Sequence, residues 1–261
     1  MENTRTKTTR NSLILLLTAA IWGMAFVSQS KGMDYMHPFT FNGVRSLIGA
    51  ASILVYILIS RKIAGDKAAP LDWKLNVKAG LLCGIFLTIA STLQQFGIKY
   101  TSVGKAGFIT TLYIIFVPMF GIFLKKKVAP VVWVAAVMAA VGMYLLCMTE
   151  SLRLGAGDIM VFLCAIAFAI QIMTVDHYAA RIDGAVVSCI QFTVCGVVCC
   201  IGALIWGQPT FGQLQEGLGA LLYAGVLSCG VGYTLQIVGQ KGLNPTVAAL
   251  IMSLESVIAT I

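Results

Sequence analysis

Nine long apolar stretches follow one another along the chain, with approximate limits 12–30, 38–60, 75–98, 103–124, 129–147, 156–176, 185–206, 217–239 and 244–261. Each approaches or exceeds the roughly 20 residues a helix needs to cross about 30 Å of hydrocarbon. The runs are continuous rather than alternating, so they predict membrane helices and not the strands of a barrel. Segment one follows a basic N-terminus as a signal peptide would. Its run from Leu13 to Val27 leads to no convincing small-residue cleavage site, however, and eight spans come after it. It reads as the first membrane helix. The predicted fold class is an all-α polytopic membrane protein.

Composition agrees and narrows the function classes. The chain has 261 residues, 59% hydrophobic and 11% charged, with a mean hydropathy of +0.91, whereas a soluble domain carries about 25% charged residues. The formal charge of +8 invites a nucleic-acid reading. The basic residues lie in short clusters between the spans, such as Arg5, Lys7 and Arg10 or Lys125 to Lys127, and not on one aromatic-laced face. That spacing suits topology and membrane-lipid contact, not nucleic acid. With the N-terminus inside, the inner loops hold twelve basic residues: Arg5, Lys7, Arg10, Arg61, Lys62, Lys67, Lys74, Lys125, Lys126, Lys127, Arg181 and Lys241. The outer loops hold four, Lys31, Lys99, Lys105 and Arg153; Arg45 and Lys78 lie within spans. The bias predicts a multi-pass protein of the cell (inner) membrane whose N-terminal tail, residues 1–11, is cytoplasmic. The eight cysteines form no metal or redox motif, and Cys195, Cys199 and Cys200 at helical spacing inside an apolar run read as small hydrophobes. No metal or other cofactor is expected.

The chain also repeats itself. At a constant offset of 142 residues, Thr92, Leu93, Gln94, Gly97 and Lys99 match Thr234, Leu235, Gln236, Gly239 and Lys241. The register continues through Ala106/Ala248, Ile109/Ile251 and Leu112/Leu254, with weaker echoes of Ala20-Ile21 in Ala165-Ile166 and of Arg45 in Gln191. Segments three and four thus correspond to eight and nine, which makes a unit of five helices. An odd number of spans inverts the second unit relative to the first, an arrangement characteristic of secondary transporters. The expected units are 12–147 and 156–261, the second truncated in its fourth helix. A span ending at Ile261 without a polar flank fits a piece of a longer chain with ten helices in all.

At this point the residues resemble a family. Trp22-Gly23, the stretch from Pro38 to Arg45, Ala106-Gly107-Phe108 through Tyr113 and Pro118, and Leu254-Glu255 resemble, in this order, the EamA-type transporters of the drug/metabolite transporter superfamily. The resemblance implies ten helices and the movement of small metabolites, without fixing a substrate. One position departs from the family pattern: Ser256 stands where many members follow the glutamate with proline, which removes one source of a kink in segment nine.

Two ionisable residues lie deep in the spans. Glu255, about eleven residues into segment nine, would cost roughly 2.5–3.5 kcal/mol facing lipid, so it is expected in the bundle interior. It is a candidate contact for a substrate amine and a candidate proton-coupling site; the alternative is a packing contact with a neighbouring helix. Arg45 suits a substrate carboxylate, or else snorkelling or a structural bond to a helix end. Gln94, Gln95, Gln171, Gln191, Gln236 and Asn42 either line a cavity or join helices. Gln94 and Gln236 are the stronger candidates because the repeat pairs them, as it pairs Tyr113 with Glu255. Trp22 and Tyr113 are candidate aromatic walls for a ligand. Gly80 and Gly84, Gly225 and Cys229, and Ala136 and Ala140 have the small-xxx-small spacing of close helix contacts. Pro118 is a candidate kink near the cavity, and Pro38, Pro130 and Pro245 suit helix starts.

These observations favour a secondary transporter that moves a small metabolite or drug-like molecule by alternating access, with its central cavity lined by segments two, three, four, eight and nine. No Walker-type loop is present for ATP hydrolysis. An intramembrane enzyme would need paired catalytic groups at membrane depth. Asp176 and His177 instead point apart at a span boundary, so no catalytic residue is assigned. A receptor or assembly factor would more often carry a substantial soluble domain.

Overall fold

The computed structural model describes residues 4–65, 70–124, 130–147 and 155–260. Lys67, Lys125 to Lys127 and Arg153, which enter the charge bias, lie outside the described residues, as do the junction between the two expected units and Ile261. The elements are α1 (Thr4–Tyr35), α2 (Pro38–Ala64), α3 (Trp73–Tyr100), α4 (Val103–Thr111), α5 (Tyr113–Phe123) and α6 (Pro130–Cys147). They continue with α7 (Ala156–Ala179), α8 (Gly184–Gly202), α9 (Phe211–Glu216), α10 (Leu218–Leu222), α11 (Tyr233–Gln240), α12 (Pro245–Met252) and α13 (Glu255–Thr260). Two π-helical stretches, Ala203–Gly207 and Tyr223–Gly232, continue α8 and join α10 to α11. No strand occurs among the described residues.

The protein is an all-α, multi-pass membrane protein. Among the described residues, seven helical segments are long and apolar enough to cross a membrane, and Pro245–Ala259 is a shorter apolar helix. Large apolar side chains such as Leu54, Leu58, Val197, Val198 and Ile201 stand exposed on α2 and α8, as lipid-facing positions must. Helix starts are chemically marked. Pro38 and Pro245 occupy first-turn positions behind His37 and Asn244, whose side chains accept from the Phe39 and Thr246 amides. Ser102 and Asp183 cap α4 and α8 in the same manner.

Segments four and nine are both interrupted, and at corresponding places. The first breaks at Leu112 and restarts at Tyr113; the second breaks at Ser253 and Leu254 and restarts at Glu255, again an offset of 142. Just before the first break Thr111 Oγ1 donates to the Phe108 carbonyl at 2.9 Å, and at the second Ser253 Oγ donates to the Leu250 carbonyl at 2.8 Å. Ser256 Oγ adds a bond to the Ser253 carbonyl at 2.9 Å. Hydroxyls that bond back to helix carbonyls compete with the backbone ladder and bend helices. Segment nine is thus interrupted without a proline, at Ser253 and Leu254, beside these two serine hydroxyls. Pro118 lies within α5, beyond the break.

Contacts run mainly between the set α1–α6 and the set α7–α13 rather than within either set. α3 packs on α7 and α8, α2 on α8 and the second π-helical stretch, and α1 on α11, α12 and α13. The glycine spacing predicted for close contact does this work. A Cβ at Gly80 would meet Ile190, one at Gly84 would meet Val194 and the Gln191 backbone, and one at Gly225 would meet Ile48 and the Arg45 carbonyl. Segment one crosses the second π-helical stretch, where the Trp22 indole N–H faces the Ser228 carbonyl at 3.5 Å and Tyr223 donates to the Ile21 carbonyl at 3.1 Å.

Candidate functional site

All six candidate residues, Glu255, Tyr113, Trp22, Gln94, Gln236 and Arg45, line one cavity of about 40 Å³. Such a space holds a few water molecules, far short of the roughly 300–1,000 Å³ of a small-molecule pocket.

Glu255 begins α13 because the helix restarts there, and its side chain is 4% exposed. Tyr113 begins α5 for the same reason and is 2% exposed. The Tyr113 hydroxyl donates to Glu255 Oε1 at 3.1 Å, so the two residues paired by the repeat touch. Arg45, on α2, is also buried; its Nε–H donates to Asn42 Oδ1 at 3.0 Å and its guanidinium carbon lies 5.5 Å from the centre of the Phe41 ring. Asn42 is itself held by bonds from its Nδ2 to Ser91 Oγ at 3.0 Å and to Cys199 Sγ at 3.3 Å. Ser46 donates to Cys195 Sγ at 3.4 Å. Cys195 and Cys199 are therefore buried, as a small hydrophobe would be, and are also the sulfur acceptors of a polar layer joining α2 and α3 to α8.

The paired glutamines sit on the cavity with different partners. Gln94 Nε2 donates to Thr110 Oγ1 at 3.3 Å, whereas Gln236 Nε2 donates to Gln171 Oε1 at 3.2 Å. Trp22 forms a wall with Tyr233, their ring centres 4.5 Å apart. Of the wider polar set, Gln171 and Asn42 reach the cavity, while Gln95 and Gln191 are buried elsewhere. The weak echo of Arg45 in Gln191 thus does not bring those two to one site.

The cavity also takes residues that periodicity alone did not single out: Gln29 of α1, Phe168 of α7 and Phe192 of α8. Segments one, six and seven therefore join the five expected to line it. Depth in a span is legible from sequence, but the side of the helix facing the bundle is not. Among the described residues, no three His, Cys, Asp or Glu side chains come together as a metal-ligand set.

Polar ties join helices toward both ends of the bundle. At one, Lys105 Nζ meets Asp158 Oδ2 at 2.9 Å, joining α4 to α7, and Thr101 Oγ1 donates to the other carboxylate oxygen. At the other, the Asp183 amide donates to Asn76 Oδ1 at 2.9 Å and Asn11 Nδ2 to the Lys241 carbonyl at 2.7 Å. The arrangement is a small, aromatic-walled chamber that carries Arg45 and Glu255 in the bundle interior.

Comparisons with known proteins point the same way. The model of the EamA-like transporter family matches residues 10–148 and again 155–261. An uncharacterized transporter of Archaeoglobus fulgidus is 31% identical over 166 residues, a match covering 63% of this chain and 48% of that protein's length. Uncharacterized transporters of Clostridium kluyveri and Bacillus subtilis are 24% and 27% identical, over 95% and 93% of this chain and 83% and 80% of theirs. A solved crystal structure superposes with a TM-score of 0.76 over 96% of this chain and 86% of its own, at 16% identity, a likeness of fold alone. With two matches of the family model spanning nearly all of its length, the chain belongs to the EamA-like transporter family.

Proposed function

We propose that this protein is a secondary transporter that carries a small metabolite across the cell membrane by alternating access, with the substrate held in the cavity between two inverted five-helix units. The observation that carries the reading is the convergence of Arg45, Glu255, Trp22, Tyr113, Gln94 and Gln236 on one buried chamber. Buried charges at membrane depth are costly and mark transport pathways. The shared offset of the two helix breaks and the double family match support the two-unit description. On this reading the N-terminus is cytoplasmic, Glu255 receives an amine or a coupling proton, and Arg45 receives a carboxylate. The small chamber belongs to one state of the cycle: loosening the ties at one end and then the other enlarges it and exposes it to alternate sides.

The test is flux into liposomes holding the full chain, against a panel of labelled zwitterionic, cationic and anionic metabolites. The expected outcome is transport that Glu255→Gln reduces at least tenfold or strips of its pH dependence. Transport by Glu255→Gln at the unaltered rate and pH profile would remove Glu255 from the mechanism, and no flux of any solute would refute the transporter reading.

A further inference from the structure

Gln171 and Gln236, which both line the cavity, leave two polar atoms unused between them. Gln236 Nε2 donates to Gln171 Oε1 at 3.2 Å, while Gln171 Nε2 and Gln236 Oε1 have no partner. Both side chains are at least 99% buried and both line the chamber. The conclusion does not depend on how each amide is turned: one hydrogen bond between two amides always leaves one NH2 and one carbonyl free, and turning both merely exchanges the roles. Orphaned buried polar atoms are rare, and each calls for an explanation such as bound water or a ligand. Gln29, another residue of the chamber wall, likewise has its Oε1 without a partner.

The surroundings narrow what could satisfy them. Trp22, Tyr233 and Phe192 stand as a run of rings, with Tyr233 4.5 Å from Trp22 and 5.0 Å from Phe192 between centres. Rings this close touch one another, so together they form a wall against which a flat group can lie. A free donor beside a free acceptor is met by a group carrying both in reverse, a carbonyl next to an N–H.

We propose that the Gln171–Gln236 pair is a carboxamide subsite: it recognises a planar amide-type group on the transported molecule through one hydrogen bond from Gln171 and one to Gln236. This rests on the transport reading, because the group enters only when the chamber enlarges. The pair would read one feature of the substrate, while Arg45 and Glu255 read its charges.

Benzamide and acetophenone test this, since they share shape and carbonyl and differ in the amide N–H. Their binding to the full chain in lipid nanodiscs can be measured by ligand-induced shift of the melting midpoint. Benzamide is expected to bind about tenfold more tightly or better, as sites built to hydrogen-bond a group reject analogues lacking it. The double variant Gln171→Leu/Gln236→Leu should erase the preference while the unliganded midpoint stays level or rises, because orphaned atoms are removed. Equal binding, no binding of either probe, or a preference that survives the double variant overturns the proposal. Should the double variant fail to fold, the two probes on the unaltered chain decide alone. Flux in the liposome panel without a benzamide preference sinks the subsite and leaves transport standing. A preference without any flux does the reverse.

Discussion

Gly97→Ala puts the seam between α3 and α7 under a load that can be worked out. A Cβ at Gly97 would run into Val161 Cγ2 and come within 2.9 Å of the Gly157 carbonyl, while one at Gly157 would lie 2.9 Å from the Gly97 carbonyl. Even a close C–H···O contact keeps carbon and oxygen about 3.3–3.6 Å apart, so the backbones must part by about 0.5 Å and the buried Val161 side chain must shift further still. A gap of that size forfeits roughly a quarter of each displaced dispersion contact. Overpacking costs about 1–3 kcal/mol, and the better helix propensity of alanine returns up to about 1 kcal/mol. The net expectation is a loss of up to about 2 kcal/mol, or up to about 8 °C in the melting midpoint of a chain this size, and a midpoint clearly below that of an unhindered glycine-to-alanine change. Gly219→Ala is the control, because its Cβ meets nothing within 4 Å. Thermal unfolding of both variants in nanodiscs checks the claim. The seam argument is refuted if Gly97→Ala melts where Gly219→Ala does. Adding Gly157→Ala should cost less than the sum of the two, since one displacement relieves both clashes.

Two further outcomes follow from the polar groups. Asn42→Leu takes the acceptor from Arg45 and should destabilise the chain by about 1–3 kcal/mol, with Asn42→Asp recovering most of it; equal midpoints for all three proteins would show that Arg45 does not depend on this bond. At the N-terminus of α2, outside the spans, burial and then the charge of Lys99 lower the pKa of His37 from its usual 6.5, and its Nδ1 accepts from the Phe39 amide at 3.3 Å. A folded pKa below the unfolded one means stability is fully present above about pH 6.5 and falls as acid protonates the ring. His37→Asn, which keeps a cap without titrating, should flatten the fall in melting midpoint between pH 7.5 and 5, and an unchanged slope would deny His37 that role.

How much of this was legible in the sequence differs by level. Each of the nine apolar runs overlies helix in the described residues, because lipid burial leaves a continuous record in composition. The interruptions did not show in that record. Thr111 and Ser253 look unremarkable in an apolar run, and their effect depends on a hydroxyl turning back to a particular carbonyl. Proline was the visible signal, and it pointed to Pro118 rather than Leu112. The π-helical stretch at Tyr223–Gly232 was equally hidden: it lies against Trp22, two hundred residues away in sequence, and a Cβ at Gly232 would sit 2.7 Å from the indole nitrogen. For the site, buried cost identified Arg45 and Glu255, and the repeat selected Tyr113 and two glutamines. Gln29 escaped because one polar residue in a long first helix carries no record of which face turns inward.

The contact between Tyr113 and Glu255 has a mechanical consequence under the two-unit reading. Residues related by an internal twofold axis can touch each other only at that axis. Tyr113 and Glu255 hold corresponding places, each the first residue after a break, and they meet at 3.1 Å. Rocking of one unit against the other then moves the periphery most and this pair least. The ties at Lys105–Asp158 and at Asn76–Asp183 lie off the axis and must alternate. Cysteine pairs separate the cases, introduced on a background with the native cysteines replaced. Crosslinking Lys105→Cys to Asp158→Cys should hold that end shut to a membrane-impermeant thiol reagent while the other end still opens, and Asn76→Cys with Asp183→Cys should do the reverse. Crosslinking Tyr113→Cys to Glu255→Cys should leave both ends opening in turn, even though substrate recognition is lost. A central crosslink that freezes both ends would place the pair in a gate rather than at a pivot, and the axis argument would fail.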